Sequence, residues 1–340
     1  MLVTCAGIIV ADLIAAGLPK VSEPGELTFT ELGIILHIGG HAANVSVDLL
    51  KLGLKRGEVS SIGAIGEDIF GDFIENFLKE HGVVCRLQKI KDVGTSKDLI
   101  LVVKGEDRRF HVDVGANWYL SVEHVKGVLD EERPLIFYVG GSGFLGEFDE
   151  RLPEVLKEAK GLGCLTFLDP VTPYKRGWDI FIPALRWTDI FHCNNTEAEM
   201  ITGESEPVEA AGRLLREGAK LALITMGDKG LIARTEDAIL EMPAFKVKAV
   251  DPTGAGDAFC AGVIYGLIGL RGVRGGIPLL GISGDNLVQV LLQGEAAGAA
   301  CVSMVGTTAG VTRERVDGIL REQSPDVLGR IRMEVSGSDG

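Results

Sequence analysis

Short runs of apolar, β-branched residues alternate along this chain with stretches whose apolar positions recur every three or four residues. "LVTCAGIIV" reads as a buried strand, and "HAANVSVDLLKLG" as an amphipathic helix stopped by Gly53. "EVSSIGAIG" and "DIFGDFIENFLKEHG" repeat the pair, with Gly82 as the second stop. The alternation continues through "PLIFYVGG", "FDERLPEVLKEAKGLG", "CLTFLDP", "TDIFHCN", "TEAEMITG", "EAAGRLLREGAK" and "LALITMG". Repetition of this kind predicts an α/β fold, a mostly parallel sheet with helices on both faces. Ligands of such sheets sit at the C-terminal ends of the strands.

Two segments break the rhythm. Residues 13–36 carry Pro19, Pro24 and short apolar stretches, and residues 95–115 hold two strand-like runs joined by "KGEDRR", the outline of a hairpin. Neither forms a βα unit. They are expected to make a small β-sheet lid over a large domain built from residues 1–12, 37–94 and 116–334. The polar, glycine-rich tail at 335–340 is expected to be disordered.

Composition narrows the class without altering that picture. The chain has 340 residues, 46% hydrophobic and 24% charged, the balance of a soluble globular protein. A formal net charge of −14 disfavours nucleic acid and anionic membranes as partners, since both call for a basic surface. Six scattered cysteines with no CxxC pair read as buried, reduced thiols of a cytoplasmic protein. The apolar N-terminus lacks a basic leader region, and Asp12 interrupts it before the roughly 20 residues a membrane span needs.

The chemistry concentrates in "VDPTGAGDAFCAG", residues 250–262. A Gly-Ala-Gly turn opening a helix offers unpaired N–H groups and a partial positive charge, a natural anion cradle. Asp257 in that first turn suits a base facing a hydroxyl. Alone, such a turn reads first as an ordinary Asp-rich helix cap.

The longer string D-P-T-G-A-G-D-A-F closely resembles the C-terminal signature of the ribokinase-like (PfkB-type) carbohydrate kinases. Other blocks resemble that family in order: "GGHAANVSVDLLKLG" from Gly39 to Gly53, "IGAIGEDIFGDFI", "CNNTEAEMITG" from Cys193 to Gly203, and "ITMGDKG" from Ile224 to Gly230. The likeness spans about residues 1–310. It implies a three-layer αβα fold with a small β lid, and phosphoryl transfer from ATP to a hydroxymethyl group of a sugar or related compound.

By the same resemblance, Asp257 would take the acceptor's proton, and Gly254, Ala255 and Gly256 would form the anion hole. Asn194 and Glu197 would hold Mg²⁺ through its waters, an ion that prefers oxygen ligands. Thr225, Gly227 and Gly230, with Asn194, would line the ATP site. Asp12, Gly39, Gly40 and Asn44 would bind the acceptor. Several members also place K⁺ beside the anion hole, which here would involve Asp251, Thr253 and the loop at 303–310. A homodimer through the lid is a further family habit.

Departures from the pattern are Pro252, where Thr is commoner, and Asn195, where Glu is frequent. Pro252 fixes one backbone angle and removes an N–H without touching the carboxylates. Arg108 and Arg109 read as a solvated hairpin turn, with contact to an acidic sugar as the alternative. His41 and His111 read as local hydrogen-bonding residues near the acceptor site, with substrate contact as theirs. Competing functions are a nucleoside kinase of the same fold, a catalytically silent sugar- or nucleotide-binding protein, and an NAD-dependent dehydrogenase. The last rests on Gly141, Gly143 and Gly146 after a strand, with Asp169 as its acid. That acid comes later than the usual gap of about 20 residues.

Overall fold

The computed structural model describes residues 1–106, 108–274 and 284–335. Its strands in chain order are β1 (Val3–Gly7), β2 (Val10–Leu18), β3 (Ile34–Gly39), β4 (Val59–Gly66), β5 (Val84–Ile90), β6 (Lys97–Val103) and β7 (Arg109–Asp113). They continue with β8 (Ile136–Ser142), β9 (Leu165–Pro170), β10 (Ile190–Asn194), β11 (Leu221–Thr225), β12 (Leu231–Arg234), β13 (Ala238–Met242) and β14 (Arg332–Val335). Ten of these form one sheet in the order β14-β13-β12-β11-β10-β9-β8-β1-β4-β5. From β5 to β11 every neighbour pair is parallel. The last three pairs, β11–β12, β12–β13 and β13–β14, are antiparallel.

The central strands β4 and β8 are buried along their whole length, which is why they read as continuous apolar runs. Alternate side chains feed two separate cores. Val3, Cys5, Ile136 and Tyr138 join the core under helices His41–Leu52, Ala255–Arg274 and Asp285–Val302. Ala6, Phe137 and Val139 join the core under helices Val122–Glu132, Leu152–Gly161 and Pro207–Arg216. The result is the three-layer αβα arrangement expected from the strand–helix alternation.

The remaining strands form a four-stranded sheet in the order β3-β2-β6-β7, with β2 parallel to β6 and both outer pairs antiparallel. This sheet takes Val10–Asp12 and His37–Gly39 in addition to the expected segments, because β2 continues almost directly from β1. At the other end, Val335 closes β14 against Ala238, so the chain stays in the sheet one residue into the expected tail. Residues 336–340 lie outside the described residues. No described helix is long and apolar enough to cross a membrane.

Candidate active site

The parallel strands end together. Gly7 lies beside Gly140, Gly140 beside Asp169, and Asn194 beside Thr225, so one row of strand ends forms the floor of a crevice. Over this row runs the turn at 251–256, which leads into helix Ala255–Arg274. Gly254 sits at φ +80°, and a Cβ there would stand 2.6 Å from the carbonyl oxygen of Thr307. Only glycine makes that turn against that neighbour. The first intrahelical bond runs from Ala258 N–H to Gly254 C=O at 2.9 Å, which leaves the first-turn amides at the helix mouth.

Asp257 is buried in this first turn. Thr307 Oγ1 donates to Asn44 Oδ1 at 2.9 Å, and Asn44 Nδ2 donates to Asp257 Oδ2 at 2.8 Å. That relay occupies one carboxylate oxygen. The other, Oδ1, is buried and has no hydrogen-bond partner. His41 Nε2 stands 3.8 Å from it. Burial raises the Asp257 pKa, and the Asp169 charge adds to the rise, against the lowering by His41 and by the Asn44 hydrogen bond. For His41, burial pulls the pKa down, yet Asp257, Asp169 and Glu197 carry it above the ordinary imidazole value.

Asp169 anchors the other side of His41. It accepts from Tyr138 OH at 2.7 Å and from His192 Nδ1 at 2.8 Å, and His192 Nε2 lies 3.2 Å from Thr225 Oγ1. Burial pushes Asp169 up, but His192, His41 and the tyrosine hydroxyl outweigh it and hold its pKa below the usual carboxylate value. A standing negative charge therefore lies beside His41. Spacing alone sets Asp169 in a dinucleotide site and His41 near the acceptor, and joins neither to this cluster.

The glycines of the supposed dinucleotide motif serve packing. A Cβ on Gly141 would stand 2.3 Å from Ile8 and 3.0 Å from His41 Nδ1, and on Gly143 it would meet the Val171 carbonyl at 2.7 Å. On Gly146 it would meet the Trp118 carbonyl at 2.2 Å. These contacts turn all three positions toward the protein itself.

On the acceptor side, Asp12 is buried in β2, in register with His37 on β3 and Asp98 on β6. A Cβ on Gly39 would stand 2.3 Å from both Asp12 oxygens, so that glycine makes room for the carboxylate. Gly40 has φ +86° and passes 2.4 Å, at Cβ distance, from the Ile8 carbonyl as it starts helix His41–Leu52. Burial first, then the charges of Asp98, Asp257 and Asp251, lift the Asp12 pKa well above its usual value. Asp98 itself is raised to about 6 by burial and by Asp113. His111 pairs with Leu99 on the opposite face of the small sheet and is exposed, so it lies away from Asp12.

Asp251 and Thr253 hold a positive charge of the chain's own. Thr253 N–H and Oγ1 donate to Asp251 Oδ1 at 3.0 and 2.5 Å, and Gly306 N–H donates to Oδ2 at 3.1 Å. Arg108 Nη1 donates to Thr253 Oγ1 at 2.6 Å and lies 3.8 Å from Asp251 Oδ1. Arg108 thus lies against the helix mouth and not in a solvated turn. Arg109 does remain exposed, paired with Glu106. With a guanidinium against these two residues, they do not fit a bare monovalent cation.

Asn194 and Glu197 form a reciprocal capping box at the start of helix Asn195–Thr202, each side chain accepting from the other's backbone N–H at 2.9 Å. Burial raises the Glu197 pKa. The set offers hard oxygen donors with a single carboxylate, which fits a Mg²⁺ ion that keeps most of its waters. A cavity of about 280 Å³ is lined by Thr225, Gly227, Phe245, Val247, Ala255 and Gly256, among others. Gly230 does not line it. That residue lies against β13, where a Cβ would stand 2.0 Å from the Met242 carbonyl.

Comparison with known proteins agrees with this geometry. Residues 2–314 match the family described as pfkB family carbohydrate kinase. The chain is 29% identical over 276 residues to a ribokinase of Mus musculus, covering 77% of this chain and 80% of that protein. It superposes on the structure of ribokinase from Giardia lamblia with a TM-score of 0.83 at 22% identity, covering 94% and 98% of the two chains. It also matches a putative ribokinase II from E. coli in complex with ATP and Mg²⁺, with a TM-score of 0.77, 21% identity, and 94% and 99% coverage.

Proposed function

This chain belongs to the pfkB family of carbohydrate kinases, and we propose that it transfers the γ-phosphoryl group of ATP to a hydroxymethyl group of a sugar, with Asp257 as the base. The observation that carries the assignment is the orphaned, buried Oδ1 of Asp257 in the first turn of the helix that the Gly254 turn opens. Membership of the family removes the dehydrogenase reading, and the packing of Gly141, Gly143 and Gly146 supplies the physical reason.

In this reading the acceptor hydroxyl replaces the missing partner of Oδ1. The Thr307–Asn44 relay fixes the carboxylate plane, so the free oxygen faces one direction. A raised pKa makes Asp257 a stronger proton acceptor once ionised. The amides of Gly254, Ala255 and Gly256 meet the charge that builds on the transferring group. Such fixed dipoles are the main protein contribution to a loose phosphoryl transition state. His41 adds a proton-bearing group between Asp257 and Asp169. Mg²⁺, held through water by Asn194 and Glu197, would neutralise phosphate charge. The role given to potassium by resemblance passes to Arg108, which brings a cation to Asp251 and Thr253 from the small sheet.

Asp12, Gly39, Gly40 and Asn44 are the proposed acceptor contacts, under the small sheet acting as a lid. Excluding water there favours transfer over hydrolysis. Thr225 and Gly227 are the proposed nucleotide contacts. The exposed face of the small sheet is the proposed homodimer surface. Asp257→Asn is expected to keep ATP binding and to lose about two orders of magnitude in turnover, measured as ADP release across a panel of sugars. Near-normal turnover in that variant would remove the base assignment.

A further inference from the structure

The cavity that runs up to Ala255 and Gly256 is walled mostly by apolar groups: Phe245, Val247, Phe259, Ala299 and Val302. One side chain breaks that wall. Glu295, on helix Asp285–Val302, lines the cavity while being only 8% exposed. Among the described residues no hydrogen bond or ion pair engages its carboxyl group, and the mechanism above gives it no task. A carboxyl group without a partner in an apolar wall is costly unless something that enters the cavity pairs with it.

We infer that Glu295 reads the base of the phosphoryl donor, pairing as a neutral carboxylic acid with the amino group and adjacent ring nitrogen of adenine. This rests on the reading of the cavity as the nucleotide site. A neutral carboxyl group presents one O–H donor and one C=O acceptor side by side. Adenine presents the complement, an N–H donor next to a ring-nitrogen acceptor. Guanine presents a carbonyl beside N–H donors, so its donor pair matches an ionised carboxylate instead. Burial alone pushes Glu295 up to about 8, with no neighbouring charge contributing. The other ionisable side chain on the cavity wall is Asp228, exposed at the turn after β11. Neutral Glu295 therefore selects adenine at ordinary pH, and the selection weakens as the acid ionises.

The test is the ratio of ATP to GTP affinity, by calorimetry with Mg²⁺, for the wild-type chain, Glu295→Gln and Glu295→Leu. The ratio cancels the titration of the phosphates, which the two nucleotides share. Between about pH 6.5 and pH 9 the wild-type ratio is expected to fall by more than about tenfold, since one pH unit past a pKa leaves about a tenth of the group protonated for adenine and the rest ionised for guanine. Glutamine keeps the donor–acceptor pair without titrating, so its ratio is expected to stay high and flat. Leucine keeps the volume and loses both groups, so its ratio is expected to be low at both pH values. Equal ratios in all three proteins, or a flat wild-type profile, would overturn the inference while leaving nucleotide binding intact. Failure of the kinase reading looks different: neither nucleotide would bind the wild-type chain.

Discussion

At the scale of residues, the site depends on who partners whom around one imidazole. His41 lies between Asp257 and the permanently charged Asp169, so its proton is stabilised where phosphate charge would develop. Transfer then needs Asp257 ionised and His41 protonated. The kcat/KM profile should be bell-shaped: activity is lost as pH falls through the raised Asp257 pKa, and lost again as pH rises through the raised His41 pKa. In His41→Asn the alkaline limb should disappear and the plateau should drop by about tenfold or more, the scale for one electrostatic contact. An unchanged alkaline limb would assign that ionisation elsewhere. None of this was legible from spacing, because Asn44 and Asp257 are 213 positions apart and meet only through the fold. What was legible was Asp257 itself, through the D-P-T-G-A-G-D-A-F string around it.

At the scale of elements, periodicity read the parallel half of the molecule well and the remainder less well. The strands β4, β8, β9 and β10 are buried runs followed by helices, and β1 and β11 are buried runs as well, so pattern alone marks them. β12, β13 and β14 are short antiparallel pieces at one edge of the sheet, and β14 comes from the far end of the chain, beyond the reach of local pattern. The hairpin of β6 and β7 was visible, but the destination of Arg108 was not, because its partner Thr253 is 145 positions away. That bond ties the hairpin to the helix mouth. Arg108→Met should therefore lower kcat/KM for the acceptor by about tenfold, as expected for one charge-assisted hydrogen bond, and leave nucleotide affinity unchanged. Arg108→Lys should recover part of the loss. Wild-type kinetics for the methionine variant would show that the contact holds nothing the reaction uses.

At the scale of the whole molecule, charge and apolar surface pull in opposite directions. The small sheet turns Asp12 to one side and leaves the row Leu36, Leu13 and Leu99 on the other. Ile34 is 66% exposed and lies opposite Ala15, on that same face. Leu27 and Phe29, in the segment leading to β3, are more than four-fifths exposed. Leu36, Leu99 and Ile34, exposed together on that face, are the physical support for a dimer through the small sheet. Each chain also carries a formal charge of −14, so two copies repel at long range. Hydrophobic association against like charge is strengthened by salt, whereas an interface held by ion pairs is weakened by it. Sedimentation velocity should therefore give twice the 36.2 kDa chain mass, with tighter association as salt rises from about 0.05 to about 0.5 M. Leu36→Asp combined with Leu99→Lys should give the single-chain mass with nucleotide affinity intact, because neither residue lies in the nucleotide cavity. A wild-type chain that sediments as a monomer at micromolar concentration in high salt would leave this face without a second copy to cover it.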